Sequence, residues 1–257
     1  MSATAADAIR TEDIVKRFGA VTALAGVTMH LAKGEVLGLI GDNGAGKSTL
    51  VKILCGFLQP TEGRIYLDGR EVRLRSVTHA RSLGIETVYQ DLALIPELTV
   101  YQNMFLNREL TGRPLPLLNH REMKLRAEAC LREMGVRIPS VNTEVAKLSG
   151  GQRQSIAIAR SVYSQAKVLL LDEPLAAMGA KEGALILGLI RNLKAKGDVS
   201  MIVIAHNYAQ VLEVCDRVNL LEHGTVALDK PARETSVEEL TELVVREYRA
   251  AAQGGHR

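Results

Sequence analysis

One stretch, Gly41-Asp42-Asn43-Gly44-Ala45-Gly46-Lys47-Ser48-Thr49, constrains this chain more than any other. It has phosphate-loop spacing: a glycine, four residues, then Gly-Lys-Ser. The apolar run Val36–Ile40 before it reads as a buried strand, and Leu50, Val51, Ile53 and Leu54 after it keep helical spacing. The loop therefore joins a strand to a helix. Its glycines let successive N–H groups face one anion at the positive end of the new helix. Lys47 is placed to reach β- and γ-phosphates, and the Ser48 hydroxyl to ligate Mg²⁺. A glycine-rich turn with a surface lysine is the bland alternative, and the Lys-Ser offset with both flanks in place argues against it. The stretch predicts a nucleoside triphosphate site.

Three other strand ends carry polar residues suited to the same chemistry. The run Lys167–Leu171 has the unbroken apolar character of a central parallel strand and ends in Asp172-Glu173-Pro174. Asp172 is placed to hold Mg²⁺ through its water, and Glu173 to orient or deprotonate the attacking water. The competing reading is an acidic pair that complements a helix dipole. Met201–Ala205 ends in His206, and Ile85–Tyr89 ends in Gln90, whose amide oxygen can touch Mg²⁺ or that water. Ligands of open parallel sheets bind at the carboxyl ends of the strands, which makes His206 a candidate γ-phosphate contact. Phe18, one of only three phenylalanines, precedes Gly19 in a predicted turn. It is either a core aromatic or a stacking platform for adenine.

A second anion-binding feature follows. Leu148-Ser149-Gly150-Gly151-Gln152 opens a segment with helical apolar spacing, with Ser149 as its N-cap. A chain with one phosphate loop has no evident need of two phosphate-binding helix ends.

Around these motifs, residues 8–33 and the hairpin 63–72, turning at Asp68-Gly69, predict a small antiparallel sheet. Between Asp91 and Lys147 the pattern turns helical, with Met123, Ala127, Cys130, Leu131 and Met134 on one face and Arg113–Pro116 in a loop. Arg217–Leu221 and Thr225–Leu228 read as strands about a turn at His223-Gly224. Ser236–Glu239 reads as a capping box for a last helix, and Gly254–Arg257 as a frayed tail. The net charge of +3 is too mild to argue for nucleic acid. Cys55, Cys130 and Cys215 are scattered and odd in number, as expected of reduced core thiols in a cytosolic chain. The N-terminal residues carry no signal-segment pattern, and no apolar run reaches the ~18 residues that span a bilayer, so a membrane role is expected only through a partner.

In order and spacing, Gly41–Thr49, Gln90, Leu148–Gln152, Asp172-Glu173-Pro174 and His206 resemble the ABC ATPases, over about Ile9 to Leu228. The Leu-Ser-Gly-Gly-Gln pentapeptide is that family's signature. The resemblance implies an α/β fold: a P-loop NTPase core with a mainly parallel sheet, an N-terminal antiparallel β subdomain and an α-helical subdomain inserted at about 91–165. The whole chain, 1–257, is then one ABC ATPase domain, closing with a helix and tail from about 236. It implies ATP and Mg²⁺, the latter held by Ser48, Gln90 and Asp172. Nucleotide would lie on Phe18, Gly41 and Asn43–Thr49, and on Ser149–Gln152 of an opposing copy, with Glu173 as the catalytic carboxylate and His206 as the switch histidine. Lys47 and Gln90 complete the catalytic set, and Gln90 also begins a loop that relays nucleotide state to a membrane subunit.

The chain is more specifically similar to ATPases of bacterial monosaccharide importers of the ribose, xylose and fructose type, through Gly41–Lys47, Gly84–Leu94 and Ala176–Gly179. Leu175, Met178 and Gly179 depart from the usual threonine, leucine and aspartate of ABC ATPases, although the sugar subgroup often has glycine at the last position. Many of those relatives are double-length, so a single domain would pair with itself or a homologue. The partners implied are a second ATPase subunit, transmembrane permease subunits and, indirectly, an external sugar-binding protein, at the cytoplasmic face of the cell membrane, with no nucleic acid. Asp91–Leu110, with Leu92, Leu94, Ile95, Pro96 and Leu98, would dock the permease, or else simply pack in the core. The competing functions are import of another small solute such as an amino acid, and a non-transport ABC ATPase.

Overall fold

The chain first pairs β1 (Asp7–Phe18) with β2 (Val21–Ala32) as an antiparallel hairpin, turning at Gly19 directly after Phe18. Val27, Met29 and Leu31 alternate inward from β2, as their period of two requires. The computed structural model describes residues 7–112, 115–176 and 178–254, with side chains through Val245. β3 (Val36–Ile40) starts a second sheet and leads through the glycine loop into α1 (Lys47–Leu54). The chain then returns to the first sheet as β4 (Glu62–Leu67) and β5 (Arg70–Val72). Asp68 and Gly69 between them have φ of 50° and 77°, the paired positive values of a tight hairpin turn. The first sheet has the order β2-β1-β4-β5.

α2 (Val77–Ser82) precedes β6 (Ile85–Val88), which stops one residue short of the expected Tyr89. The next segment holds α3 (Val100–Phe105), α4 (His120–Glu133) and α5 (Gly150–Tyr163). Met123, Ala127, Leu131 and Met134 are buried as the spacing predicted, while Cys130 is half-buried at the margin of the same face. Arg113 and Pro114 of the expected loop lie outside the described residues. The chain continues through β7 (Val168–Asp172), α6 (Ala180–Lys196), β8 (Ser200–Ile204), α7 (Tyr208–Val214), β9 (Arg217–Glu222), β10 (Thr225–Pro231) and α8 (Val237–Gly254).

The second sheet has the order β10-β9-β3-β8-β7-β6, parallel except for β10. Its central strands are apolar on both faces because both are covered. Val36, Ile40, Leu169, Leu171, Met201 and Val203 enter the core beneath the helices. Leu37, Leu39, Val168, Leu170, Ile202 and Ile204 enter the core shared with the antiparallel sheet and α1. The turn at 223–224 ties the layers together: Gly224 N–H donates to Ala45 in the glycine loop, and Ala25 N–H of β2 donates to Gly224.

One local expectation is corrected. Ser236 does cap α8 by accepting from Glu239 N–H, but the Glu239 carboxylate bonds Lys230 instead of closing a reciprocal box. A nearby ammonium offers the carboxylate a charge-assisted bond, stronger than one to a neutral backbone N–H. Of the expected tail, Gly254 ends α8 and residues 255–257 lie outside the described residues.

Candidate active site

β3, β7 and β8 are neighbours, and their register puts Leu39 and Asp172 level with Ile204. The residues that follow each strand therefore share one edge of the sheet. A cleft of about 160 Å³ opens there, lined by Asp42–Gly44 and Gly46–Thr49, by Glu173 and His206, and by Ala23 and Ile204.

The loop's conformation depends on its glycines. Gly41 has φ of 142°, and a Cβ there would lie 2.1 Å from the Leu221 carbonyl. Gly46 has φ of 107°, and its Cβ would meet Ala23 O at 2.7 Å. Gly46 caps α1 without any side-chain hydrogen bond, and the first turn holds no acidic residue. An uncapped, acid-free helix start within a cleft fits a bound anion. Lys47 Nζ donates to Gly41 O at 2.6 Å and to Asp42 O at 2.8 Å, drawing the loop around its ammonium. Burial pushes the Lys47 pKa down, opposed by Glu173, Asp42 and Asp172.

Glu173 has φ of 50°, in the left-handed region that non-glycine residues rarely occupy. Its N–H bonds the Ile204 carbonyl at 2.9 Å, so the chain hooks from the end of β7 onto β8. This aims the carboxylate at His206, whose Nε2 lies 2.7 Å from Glu173 Oε1. Asp172 is held above the usual carboxylate range, by burial first and then by the charge of Glu173. The dipole-complement reading of this pair fails, since the next helix starts only at Ala180.

The other candidates lie outside the cleft lining. Gln90 is exposed just beyond β6, which β8 and β7 separate from β3. Phe18 is 47% exposed at the end of β1, which removes the core-aromatic reading, and Lys16 Nζ stands 5.1 Å from its ring centre. Ser149 opens α5 in a full capping box: its hydroxyl accepts from Gln152 N–H, and Gln152 Oε1 accepts from Ser149 N–H. These bonds leave the N–H groups of Gly150 and Gly151 unclaimed by the box.

The stretch after Gln90 is divided. Leu92 and Leu94 pack partly against the core, while Ile95 and Pro96 are exposed. Two residues hold it that sequence reading passed over. Arg160 donates to the carbonyls of Leu92 and Ala93 at 3.0 and 2.9 Å. Asn103, fully buried, accepts from Ile95 N–H and donates to the carbonyls of Ile95 and Leu98. A polar residue on the buried face of an amphipathic helix was the available signal.

A phosphate loop, an acidic pair and a histidine along one edge of a parallel sheet, backed by an antiparallel sheet and a helical segment, define an ATP-binding cassette. The chain belongs to the ABC transporter family, whose model matches residues 24–176. It is 48% identical over 238 residues to the xylose/arabinose import ATP-binding protein XylG of Sulfolobus acidocaldarius, covering 93% of this chain and 94% of that one. It is 44% identical over 217 residues to the fructose import ATP-binding protein FrcA of Rhizobium meliloti, covering 82% and 83%. Against the ribose import ATP-binding protein RbsA 1 of Burkholderia thailandensis it is 39% identical over 232 residues, 90% of this chain but 45% of that longer one. Among solved structures it resembles an ABC transporter cassette in its ADP conformation, with TM-score 0.79 at 27% identity over 93% of this chain and 95% of that one. It also resembles a dimeric post-hydrolysis cassette bound to ADP and Pi, with TM-score 0.73 at 27% identity over 88% and 99%. The family binds ATP and couples its hydrolysis to transport. Among the described residues no helix is long and apolar enough to cross a membrane.

Proposed function

We propose that this chain is the ATP-hydrolysing subunit of a monosaccharide importer, working as two copies that share two ATP molecules beneath a permease. The relatives named for xylose/arabinose, fructose and ribose import support the sugar, and the dimeric cassette supports the pairing. One observation carries the hydrolytic reading: the Glu173 carboxylate and His206 imidazole meet 2.7 Å apart in the same cleft as Lys47.

In this reading the N–H groups of Gly44, Gly46, Lys47 and Ser48 cradle the phosphates, and Lys47 meets their charge. Binding such an anion strengthens the ammonium against the burial that weakens it. Phe18 stacks the adenine from outside the cleft. Glu173 accepts the proton of the water that attacks the γ-phosphorus. His206 holds that carboxylate in place and contacts the γ-phosphate from the neighbouring strand.

For Mg²⁺, the donors are all hard oxygens: the Ser48 hydroxyl, the Asp172 carboxylate and the Gln90 amide. No group of three or more His, Cys, Asp or Glu able to hold a metal occurs among the described residues, which suits an ion kept mainly by substrate oxygens and water. Burial and the adjacent Glu173 charge raise the Asp172 pKa more than Lys47 and Lys52 lower it, so a further cation would be favoured there and the residues fit the ion. When bound it would neutralise phosphate charge.

In this reading a second copy turned head to tail brings its Ser149–Gly151 helix end over the open side of the cleft, so each copy completes the other's site. ATP then holds the copies together, hydrolysis releases them, and the permease, docked at the segment 91–110, alternates its openings. Uptake of labelled pentoses and hexoses after deleting this subunit tests the sugar reading. Loss of uptake of one or more monosaccharides is expected, and unchanged uptake of all of them would refute it.

A further inference from the structure

The N–H groups that this reading leaves for the opposing phosphate are not both free in the single chain. Glu182, in the first turn of α6, reaches back so that Gly151 N–H donates to its Oε1 at 3.4 Å. The contact is packed as well as polar. A Cβ on Gly151 would lie 3.1 Å from Glu182 Cβ, and one on Gly150 would lie 3.6 Å from Glu182 Oε2. The tighter of these, at Gly151, leaves room for the carboxylate against the start of α5 only because no Cβ is there, while the distance at Gly150 is an ordinary contact. Among the described residues no Lys or Arg is paired with Glu182, so its charge is answered by the positive helix end.

We propose that Glu182 is an internal competitor for the signature helix end, which the γ-phosphate of the opposing ATP must displace. The proposal rests on the shared-site reading above. Two anions cannot share one N–H donor, and a carboxylate left within a few ångströms of phosphate repels it. Glu182 therefore raises the ATP concentration at which two copies close. It also lies three residues after Gly179, in the first turn of α6, so the helix that carries the carboxylate starts directly after Gly179. Closure of the pair and release of the carboxylate are then one event.

The test uses the full chain carrying Glu173→Gln, so that closed pairs persist, and follows dimer formation by sedimentation as ATP is titrated. Adding Glu182→Gln keeps the size and removes the charge, and should lower the half-maximal ATP concentration about five-fold, the scale of a helix-end charge interaction. Glu182→Asp, shorter by one methylene, should lie between the two. A merely structural role predicts the opposite, a weaker pair with a lower melting temperature. An unchanged or raised ATP requirement in Glu182→Gln, with the parent pairing normally, overturns the competitor and leaves the shared site standing. Failure of the parent to pair at any ATP concentration overturns both.

Discussion

Glu173 and His206 are 33 residues apart in sequence, yet their side chains meet at 2.7 Å across the ends of adjacent strands. Neither strand alone makes this contact. It needs β7 and β8 side by side, and it needs the backbone of Glu173 to turn into the left-handed region and bond Ile204. A residue held in such a conformation costs about 1–3 kcal/mol, which the surrounding fold must supply. The carboxylate is thus aimed in advance of nucleotide.

Glu173→Gln keeps the shape and removes the base. Turnover should fall by about 10²–10⁴ while ATP binding persists. Single-turnover hydrolysis and equilibrium nucleotide binding, measured on the same preparation, check this. Near-normal turnover would remove Glu173 from the chemistry.

Phe18→Ala should weaken nucleotide binding by roughly ten-fold, within the ~1–3 kcal/mol of a base stacked on an aromatic ring. Because Phe18 is 47% exposed, the melting temperature of the nucleotide-free chain should hardly move. Fluorescent-nucleotide titration and calorimetry separate the two effects, and unchanged affinity would refute the stacking role.

Ser149→Phe should abolish hydrolysis and spare ATP binding, since Ser149 is far from the cradle of its own chain in this reading. Loss of one transition-state donor costs about 2.7–4 kcal/mol. Part of any melting shift belongs to the lost cap, about 1 kcal/mol. Ser149→Thr, which keeps a hydroxyl cap, supplies the control.

Asp172 gives a prediction with a sign. Its folded pKa lies above the unfolded value, so between those two values the folded chain holds the extra proton. Stability of the nucleotide-free protein through this group therefore falls as pH rises across that window. Asp172→Asn removes this cost and should raise the neutral-pH melting temperature slightly, by about 2 °C or less after allowing for solvent screening. The same change should weaken Mg²⁺-dependent ATP binding. Thermal melts with and without Mg-ATP check both directions.

Much of this architecture was legible in the sequence because its signals are local. A glycine loop between an apolar run and a helical pattern, an Asp-Gly turn and a serine three residues before a glutamine each declare themselves within a few positions. The two-sided burial of β3, β7 and β8 follows from their unbroken apolar runs. What stayed hidden depends on partners distant in the chain. The strand order, with β8 between β3 and β7, decides that Glu173 finds His206. Glu239 chose Lys230 over its own helix start. Asn103, Arg160 and Glu182 act through backbone groups that no spacing rule connects to them.

The central claim is that one copy holds only half of each catalytic site. It is tested most directly by measuring ATP turnover per chain as the purified protein is diluted at saturating Mg-ATP. Turnover per chain should fall as the concentration drops below that of pairing, and should be restored by adding a Glu173→Gln copy in excess. A turnover per chain that stays constant to the lowest measurable concentration, with the protein sedimenting as a monomer, would contradict the account.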